Sequence, residues 1–186
     1  MPIQPILVDQ FEPLKAAEGL SQVTTVIRTI LNIQGKADYY WMGCDLHTIQ
    51  IERKQTGEVL GDMDSVESVL NKYIPSADEL ILLVEGVIVP TQFGADTYIQ
   101  SENKPYFRIG HGYGNQKHPQ TGLYSRYQAW KWRLDKSGIS VYETHSIDGT
   151  IKTISAIYSS SQKQEHTTLK RYLRQKPAQF NPNPHI

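Results

Sequence analysis

Apolar and polar positions along the chain alternate with two different periods, which predict strands and helices in turn. Ile6–Asp9 is an apolar run that ends in an acidic residue, and it predicts a short buried strand. Ser21 can cap a helix that ends at the break over 32–35. The apolar face of this helix would consist of four residues at helical spacing: Val23, Val26, Ile27 and Ile30.

Two strand-like stretches, 39–46 and 49–54, are joined at 47–48 and predict a tight hairpin. Side chains alternate across a strand, so Ile49 and Ile51 are expected to face the core. Three polar side chains would then share the opposite face: Gln50, Glu52 and Lys54.

The middle of the chain predicts a capped helix followed by a fully covered strand. Asp64 fits a helix cap, with Glu67 three residues later, and Pro75 ends the helix. Four residues form its apolar stripe: Val66, Val69, Leu70 and Tyr73. Leu80–Val84 shows no alternation, as expected for a central strand with both faces covered.

The remaining sequence predicts an insertion followed by a helix, a strand and a helix. Pro, Gly, Asn and Gln are scattered over 89–122, which indicates a long loop or a small insertion. Periodicity then predicts a helix at 124–136, a strand at 139–142 and a helix at 147–159. Because strands and helices alternate, the predicted fold class is α/β with a mixed sheet.

Length and composition fit an ordinary globular domain. With 186 residues, the chain is expected to form one domain over 1–176, with an insertion at about 89–123 and a flexible tail at 177–186. The longest apolar run is far shorter than the roughly 20 residues that a membrane span needs, so no membrane crossing is expected. The single cysteine, Cys44, and the absence of a secretory signal pattern predict an intracellular protein.

The formal net charge is zero, so no global field draws the chain to DNA or to an acidic membrane. The charge is unevenly distributed, because 104–136 is basic and 52–85 leans acidic. A basic lobe beside an acidic site would suit a nuclease, and a solvated charged surface explains the same pattern equally well. The basic run 163–174 has the same two interpretations, a face for DNA or a solvated helix face.

Three residues of the predicted hairpin could carry phosphodiester hydrolysis. That chemistry needs carboxylates that hold divalent metal ions, and a group that orients the attacking water. Asp45 lies near the end of the first strand, while Glu52 and Lys54 share a face of the second. The three groups converge if the register of the hairpin permits it.

The residues around this triplet resemble a known signature. Glu52-Arg53-Lys54-Gln55-Thr56-Gly57-Glu58, preceded by Gly43-Cys44-Asp45, resembles the GD…ERKxxxD motif of the XPF-type nucleases, a branch of the PD-(D/E)XK superfamily. Three further segments resemble the opening strand, the core strand and the closing strand of that family: 6–12, 82–86 and 138–142. The resemblance implies a restriction-endonuclease-like mixed sheet flanked by helices.

The resemblance also implies roles for individual residues. Asp45 and Glu52 would be ligands of Mg²⁺ or Mn²⁺, and Lys54 would orient water or stabilise charge on the phosphate. Asp9 would be a further acidic member of the metal site. Glu12, Glu58 and Arg53 are additional candidates; Arg53 would reach a neighbouring carboxylate or the DNA backbone, or form only a surface salt bridge.

Three departures from the family pattern bear on these expectations. The sequence has Gly-Cys-Asp in place of adjacent Gly-Asp, Glu58 replaces the last Asp, and no helix-hairpin-helix module is recognisable. The expected partner is branched or partly single-stranded DNA, and a homodimer or a partner nuclease subunit would help to grip it. Two alternatives stay open: an inactive DNA-binding or scaffold subunit, and a sequence-specific restriction-type nuclease.

A mixture of basic and aromatic residues in and after the insertion matches what proteins use to stack bases and hold phosphates. A loop that packs its own aromatic residues would have the same composition. The candidate DNA-binding residues are Arg108, His111, Tyr113, Lys117, Arg126 and Lys131.

Overall fold

The computed structural model describes residues 4–101, 104–108 and 117–163. The strands are β1 (Ile6–Asp9), β2 (Val26–Thr29), β3 (Tyr39–Met42), β4 (Thr48–Gln55), β5 (Glu79–Glu85), β6 (Val87–Thr91), β7 (Gly94–Ser101), β8 (Lys104–Arg108) and β9 (Ile139–Thr144). The helices are α1 (Leu14–Leu20), α2 (Thr56–Gly61), α3 (Met63–Tyr73), α4 (Leu123–Lys136) and α5 (Ile147–Ser161). The predicted tail at 177–186 lies outside the described residues.

Six strands form one mixed sheet in the order β2-β1-β3-β4-β5-β9. β3 is antiparallel to β1 and to β4, whereas β2 runs parallel to β1, and β4, β5 and β9 run parallel to one another. Every residue of Leu80–Val84 is buried in β5, which lies between β4 and β9. The predicted α/β class and the central strand are therefore confirmed.

Helices cover both faces of the sheet. α2, α3 and α4 bury apolar residues against one face, among them Val59, Leu70, Tyr127 and Trp130. α1 and α5 cover the other face, where Leu20 and Ile154 pack among the isoleucines of β4. Burying each large apolar side chain contributes roughly 1.5–3 kcal/mol. None of the described helices is long and apolar enough to cross a membrane.

The segment predicted as a long loop or small insertion contains a second sheet. β6, β7 and β8 are antiparallel neighbours in that order, and Ala95 of β7 is buried in the core on the α4 side. Gly86 connects this sheet to β5 with a φ of +117°. A Cβ at Gly86 would lie 2.7 Å from the carbonyl oxygen of Tyr98, so this close approach requires glycine.

The prediction of a helix after Ser21 is wrong. The helix lies earlier, at α1, and Val26–Thr29 is instead the edge strand β2. The residues just before and within β2 are rich in β-branched side chains, which favour extended backbone. Ile27 and Ile30 are substantially exposed, so the spacing of apolar residues did not mark a core-facing helix.

The cap predicted for the next helix is also displaced. Asp62, not Asp64, accepts a hydrogen bond from the Ser65 backbone N–H at 2.9 Å and caps α3. Asp64 is the second residue of α3, in its first turn, because the short helix α2 fills the residues directly before Asp62. The predicted helix at 124–136 is confirmed by α4, in which Trp130 is buried and Trp132 is exposed.

Candidate active site

The register of the β3–β4 hairpin brings Asp38, rather than Asp45, to Glu52. Tyr39 pairs with Ile51, so continuing the ladder by one residue places Asp38 opposite Glu52. The backbone N–H of Asp9 donates to the Asp38 carbonyl at 2.8 Å, which fixes this start of β3 against the end of β1.

Asp45 lies in the turn of the hairpin, which spans 43–47 rather than the predicted 47–48. Its carboxylate accepts a hydrogen bond from the His47 backbone N–H at 3.2 Å. At about 3.3 Å per residue, the four steps along β4 from Thr48 to Glu52 place Glu52 roughly 13 Å from the start of the turn that holds Asp45. The predicted convergence of Asp45 with Glu52 and Lys54 is therefore wrong, because the turn is longer and lies earlier than the sequence indicated.

A buried ionic group lies at the end of the sheet where β3 starts and β4 finishes, and it consists of Asp38, Glu52 and Lys54. Asp38 is 9% exposed and Glu52 is 2% exposed. The Lys54 ammonium lies 2.5 Å from Oε1 of Glu52, and the Arg53 backbone N–H donates to Oδ2 of Asp38 at 2.9 Å. Oε2 of Glu52 has no hydrogen-bond partner among the residues that the structure describes. This oxygen is thus available to a ligand, or to a proton shared between the carboxyl groups.

The two carboxyl groups resist ionising together. Burial raises the pKa of Asp38 well above its ordinary value, and the charges of Glu52 and Glu12 raise it further. Burial also raises the pKa of Glu52, although Lys54 acts in the opposite direction. For Lys54, burial lowers the pKa, but the hydrogen bond and charge of Glu52 together with the charges of Asp38 and Glu58 raise it above its ordinary value, and the ammonium stays charged. A bound cation would relieve the repulsion between the two carboxylates.

The donors of this group fit a hard divalent cation. Within the described part of the chain, no set of three or more His, Cys, Asp and Glu residues is arranged to hold a metal ion. Mg²⁺, however, is often bound by one or two carboxylates together with water and substrate phosphates. Two facing carboxylates, one of them with an unsatisfied buried oxygen, meet that requirement. Asp38 and Glu52 are the residues that would hold Mg²⁺ or Mn²⁺.

Arg53 points to the opposite face of β4 and joins two further carboxylates. Its Nε and Nη2 donate to the two oxygens of Glu12 at 2.7 and 3.2 Å, and its Nη1 donates to Glu85 at 3.4 Å. The Tyr39 hydroxyl also donates to Glu12, and the Thr150 hydroxyl donates to Glu85 at 2.8 Å. Arg53 is largely buried, so it reaches neighbouring carboxylates and does not form a surface salt bridge.

Asp9 is fully buried, and its carboxylate is occupied by backbone donors. Oδ1 accepts from the N–H of Phe11 at 3.0 Å, and Oδ2 accepts from the N–H groups of Leu31 and Asn32 at 2.8 and 3.3 Å. These bonds tie the loop after β1 to the loop after β2. The geometry gives Asp9 a structural role and leaves its predicted part in the metal site without support.

Replacing Asp9 by Ala is expected to lower the free energy of unfolding by about 1–3 kcal/mol, since the buried Leu31 donor loses its acceptor. Asn at the same position keeps one carbonyl oxygen and is expected to cost less. Thermal denaturation of the metal-free protein measures both changes. Equal stability of the wild type and the Ala variant would contradict the structural role.

Glu58 serves as a helix cap. Its carboxylate accepts from the backbone N–H of Gln55 at 2.8 Å, and Gln55 in turn caps the first turn of α2. This reciprocal capping box orients the helix directly after β4. Glu58 adds negative charge near Lys54, but its oxygen is committed to the backbone.

Neither the comparison with protein-family models nor that with curated proteins gives a match. Among solved structures, XPF from Aeropyrum pernix is similar over 93% of this chain and 68% of its own, with 19% identity and a TM-score of 0.53. The chain has the fold of XPF. A second structure, XPF from Aeropyrum pernix in complex with DNA, matches 95% of this chain and 74% of its own, with 18% identity and a TM-score of 0.50. The predicted XPF-type, restriction-endonuclease-like fold is thereby confirmed.

Only some of the residues predicted to bind DNA lie in the described part of this XPF-like fold. His111 and Tyr113 lie outside the described residues, as does the side chain of Arg108. Two others are exposed, Lys117 and, on α4, Arg126. Lys131 instead pairs with Glu143 at 2.7 Å, and this carboxylate also accepts from the Tyr127 hydroxyl. Lys131 is therefore already neutralised in part by its own domain.

Two acidic residues were missed from the sequence, Asp38 of the site itself and Glu85, which pairs with Arg53 on the other face of β4. Asp38 could have been found by placing the hairpin turn at 43–47, since counting outward then pairs 38 with 52. Glu85 ends the buried strand β5, and the carboxyl ends of adjacent parallel strands meet at the same sheet edge.

Proposed function

We propose that the chain is a divalent-metal-dependent endonuclease that hydrolyses phosphodiester bonds of DNA at branch points or single-strand/double-strand junctions. The observation that carries this proposal is the buried Asp38–Glu52 pair with Lys54 beside it. Two carboxylates and one ammonium group supply what metal-assisted phosphodiester hydrolysis requires from a protein. The preference for branched DNA rests on the resemblance to XPF-type nucleases.

Asp38 and Glu52 would bind the metal ion, which would polarise the scissile phosphate and the attacking water. The Asp38 carboxylate is held by a backbone N–H of β4, so its orientation is fixed before the metal ion binds. A rigid ligand of this kind loses little conformational entropy on binding.

Lys54 would stabilise the negative charge that develops on the phosphate in the transition state. Glu52 holds the Lys54 ammonium at 2.5 Å and keeps it in the cationic form through its own charge. The partial burial of Lys54 strengthens its interaction with a phosphate, because less water screens the two charges.

DNA as the substrate is supported by the similarity to an XPF whose solved structure is a complex with DNA. The exposed Lys117 and Arg126 are the described members of the predicted phosphate-binding set that remain candidates for this contact. A homodimer or partner nuclease subunit, and an intracellular location, remain predictions.

The variants Glu52→Gln and Lys54→Ala are both expected to cleave branched DNA at a rate lower by about 100-fold or more, while they still bind DNA. The measurement is cleavage of labelled flap, fork, four-way junction, single-stranded and duplex DNA with Mg²⁺ or Mn²⁺, together with binding to the same DNAs in Ca²⁺. Glu79→Gln is a matched control, since Glu79 lies on the neighbouring strand at the other end of the sheet.

The outcomes separate the proposed activity from its alternatives. A wild type that binds DNA and cuts none of these substrates would support the inactive DNA-binding or scaffold subunit. Cutting at one fixed duplex sequence would support a restriction-type nuclease. Normal cutting by both variants would show that the catalytic group lies elsewhere.

A further inference from the structure

A groove lies at the end of the sheet opposite to the end that carries Asp38, Glu52 and Lys54. It runs between α5 and the first residues of β5 and β9. Its volume is about 650 Å³. Apolar residues from four elements contribute to its walls: Ile49, Ile81, Ile139 and Ile157. Because it combines an apolar lining with this size, the groove is suited to burying side chains of a polypeptide segment.

The rim of the groove is acidic. Asp45, Asp78 and Glu79 line it together with His47, whose Nδ1 lies 3.3 Å from the Asp45 carboxylate, and none of the described residues that line it is Lys or Arg. Two hydrogen bonds from Thr48 to Asp78 lower the pKa of this carboxyl group, so it is ionised at neutral pH. This charge disfavours DNA and favours a cationic occupant.

The chain leaves α5 at the mouth of this groove. Ser161, the last residue of α5, lines the groove, and its carbonyl accepts from the Cys44 backbone N–H at 2.9 Å. The Cys44 thiol donates to the carbonyl of Lys163 at 2.9 Å. These two bonds fix the exit of the chain beside Asp45, so the residues that follow start next to the acidic rim.

The sequence directly after this exit complements the groove in charge and hydrophobicity. Residues 164–176 contain four cationic side chains, Lys170, Arg171, Arg174 and Lys176, and one acidic side chain, Glu165. Their apolar residues Leu169, Tyr172 and Leu173 have the spacing of three and four that shares one face of a helix.

We propose that this groove is the docking site of residues 164–176 of the same chain. Leu169, Tyr172 and Leu173 enter the apolar part of the groove, and the cations of the segment pair with its acidic rim. Lys176 lies fifteen residues after Ser161, so the segment can span roughly 20 Å even at 1.5 Å per residue, enough to run along a groove that α5 and β9 both line. The basic run after α5 is then bound within the domain, at the end of the sheet opposite to Asp38 and Glu52.

Proteolysis of the full chain tests this docking directly. Chymotrypsin cleaves after Leu169, Tyr172 and Leu173. Mass spectrometry measures how fast each of these bonds is cleaved in the native protein and in the protein unfolded in urea, and the ratio of the two is the relative cleavage rate. Asp45→Lys/Glu79→Lys is expected to raise the relative rate about tenfold or more, because like charges would then face each other and cleavage follows the undocked fraction. Glu18→Lys, an exposed charge reversal on α1, is the matched control and should leave the rate unchanged.

A reciprocal change keeps the test informative if the groove variant is poorly folded. Lys170→Glu/Arg174→Glu alters the segment alone and is also expected to raise the relative cleavage rate. Combining it with Asp45→Lys/Glu79→Lys should restore protection. Wild-type bonds that are cleaved as fast as in urea would overturn the proposal. Protection that disappears on dilution together with a dimer would overturn it as well, since the occupant would then come from a second copy.

Discussion

Asp38→Asn is expected to lower DNA cleavage by more than about 100-fold, whereas Asp45→Asn leaves it within about twofold of the wild type. The magnitude follows from metal sites, where even the loss of a residue that supports a ligand costs about 10–100-fold, and a direct ligand should cost more. Asp38 faces Glu52, while Asp45 lies in the turn at the other end of β4. The same chemical change at two positions thus isolates the effect of the hairpin register.

Single-turnover cleavage of a branched DNA at saturating Mg²⁺ measures this difference, and titration with Mn²⁺ measures metal affinity separately. The Asn side chain can still accept the hydrogen bond from the Arg53 backbone N–H, so the Asp38 variant is expected to fold. A large loss in Asp45→Asn with normal activity in Asp38→Asn would show that the hairpin register assigned to the site is incorrect.

Arg53→Met is expected to lower the free energy of unfolding by about 3–5 kcal/mol, because it leaves two carboxylates buried without their cation. Glu12 and Glu85 are 8% and 3% exposed at their side chains, so water cannot replace the guanidinium. Burial by itself lowers the pKa of Arg53, but its bonds to Glu12 and the charge of Glu85 raise the pKa above its ordinary value, and the group stays charged.

Chemical denaturation of the metal-free protein measures this loss. Arg133→Met is the matched control, since the contact of Arg133 with Glu67 at 3.4 Å is exposed and should contribute less than about 1 kcal/mol. Adding Glu12→Gln and Glu85→Gln to Arg53→Met should recover part of the stability, because the uncompensated charges are then removed. Equal losses at Arg53 and Arg133 would contradict a buried network.

Local sequence patterns were sufficient for much of the fold and for one half of the site. Alternation along β4 placed Glu52 and Lys54 on one face and Ile49 and Ile51 on the other, which in the structure is the face that α1 and α5 cover. A strand of period two fixes such choices by itself, without reference to other elements. The continuous apolar run of β5 likewise predicted a strand covered on both sides, because only a central strand can bury both of its faces.

The other half of the site depended on contacts between distant parts of the chain. Asp38 meets Glu52 only because the turn occupies 43–47, and a displaced turn changes every pair along the hairpin. Asp9 and Arg53 were both candidates for catalysis, yet each has a partner more than twenty residues away, Leu31 for Asp9 and Glu12 for Arg53, and these contacts give them structural roles. Sequence alone therefore determined which side chains share a face of each strand, whereas only the tertiary structure decided which carboxylates meet, since that choice is made by register and long-range packing.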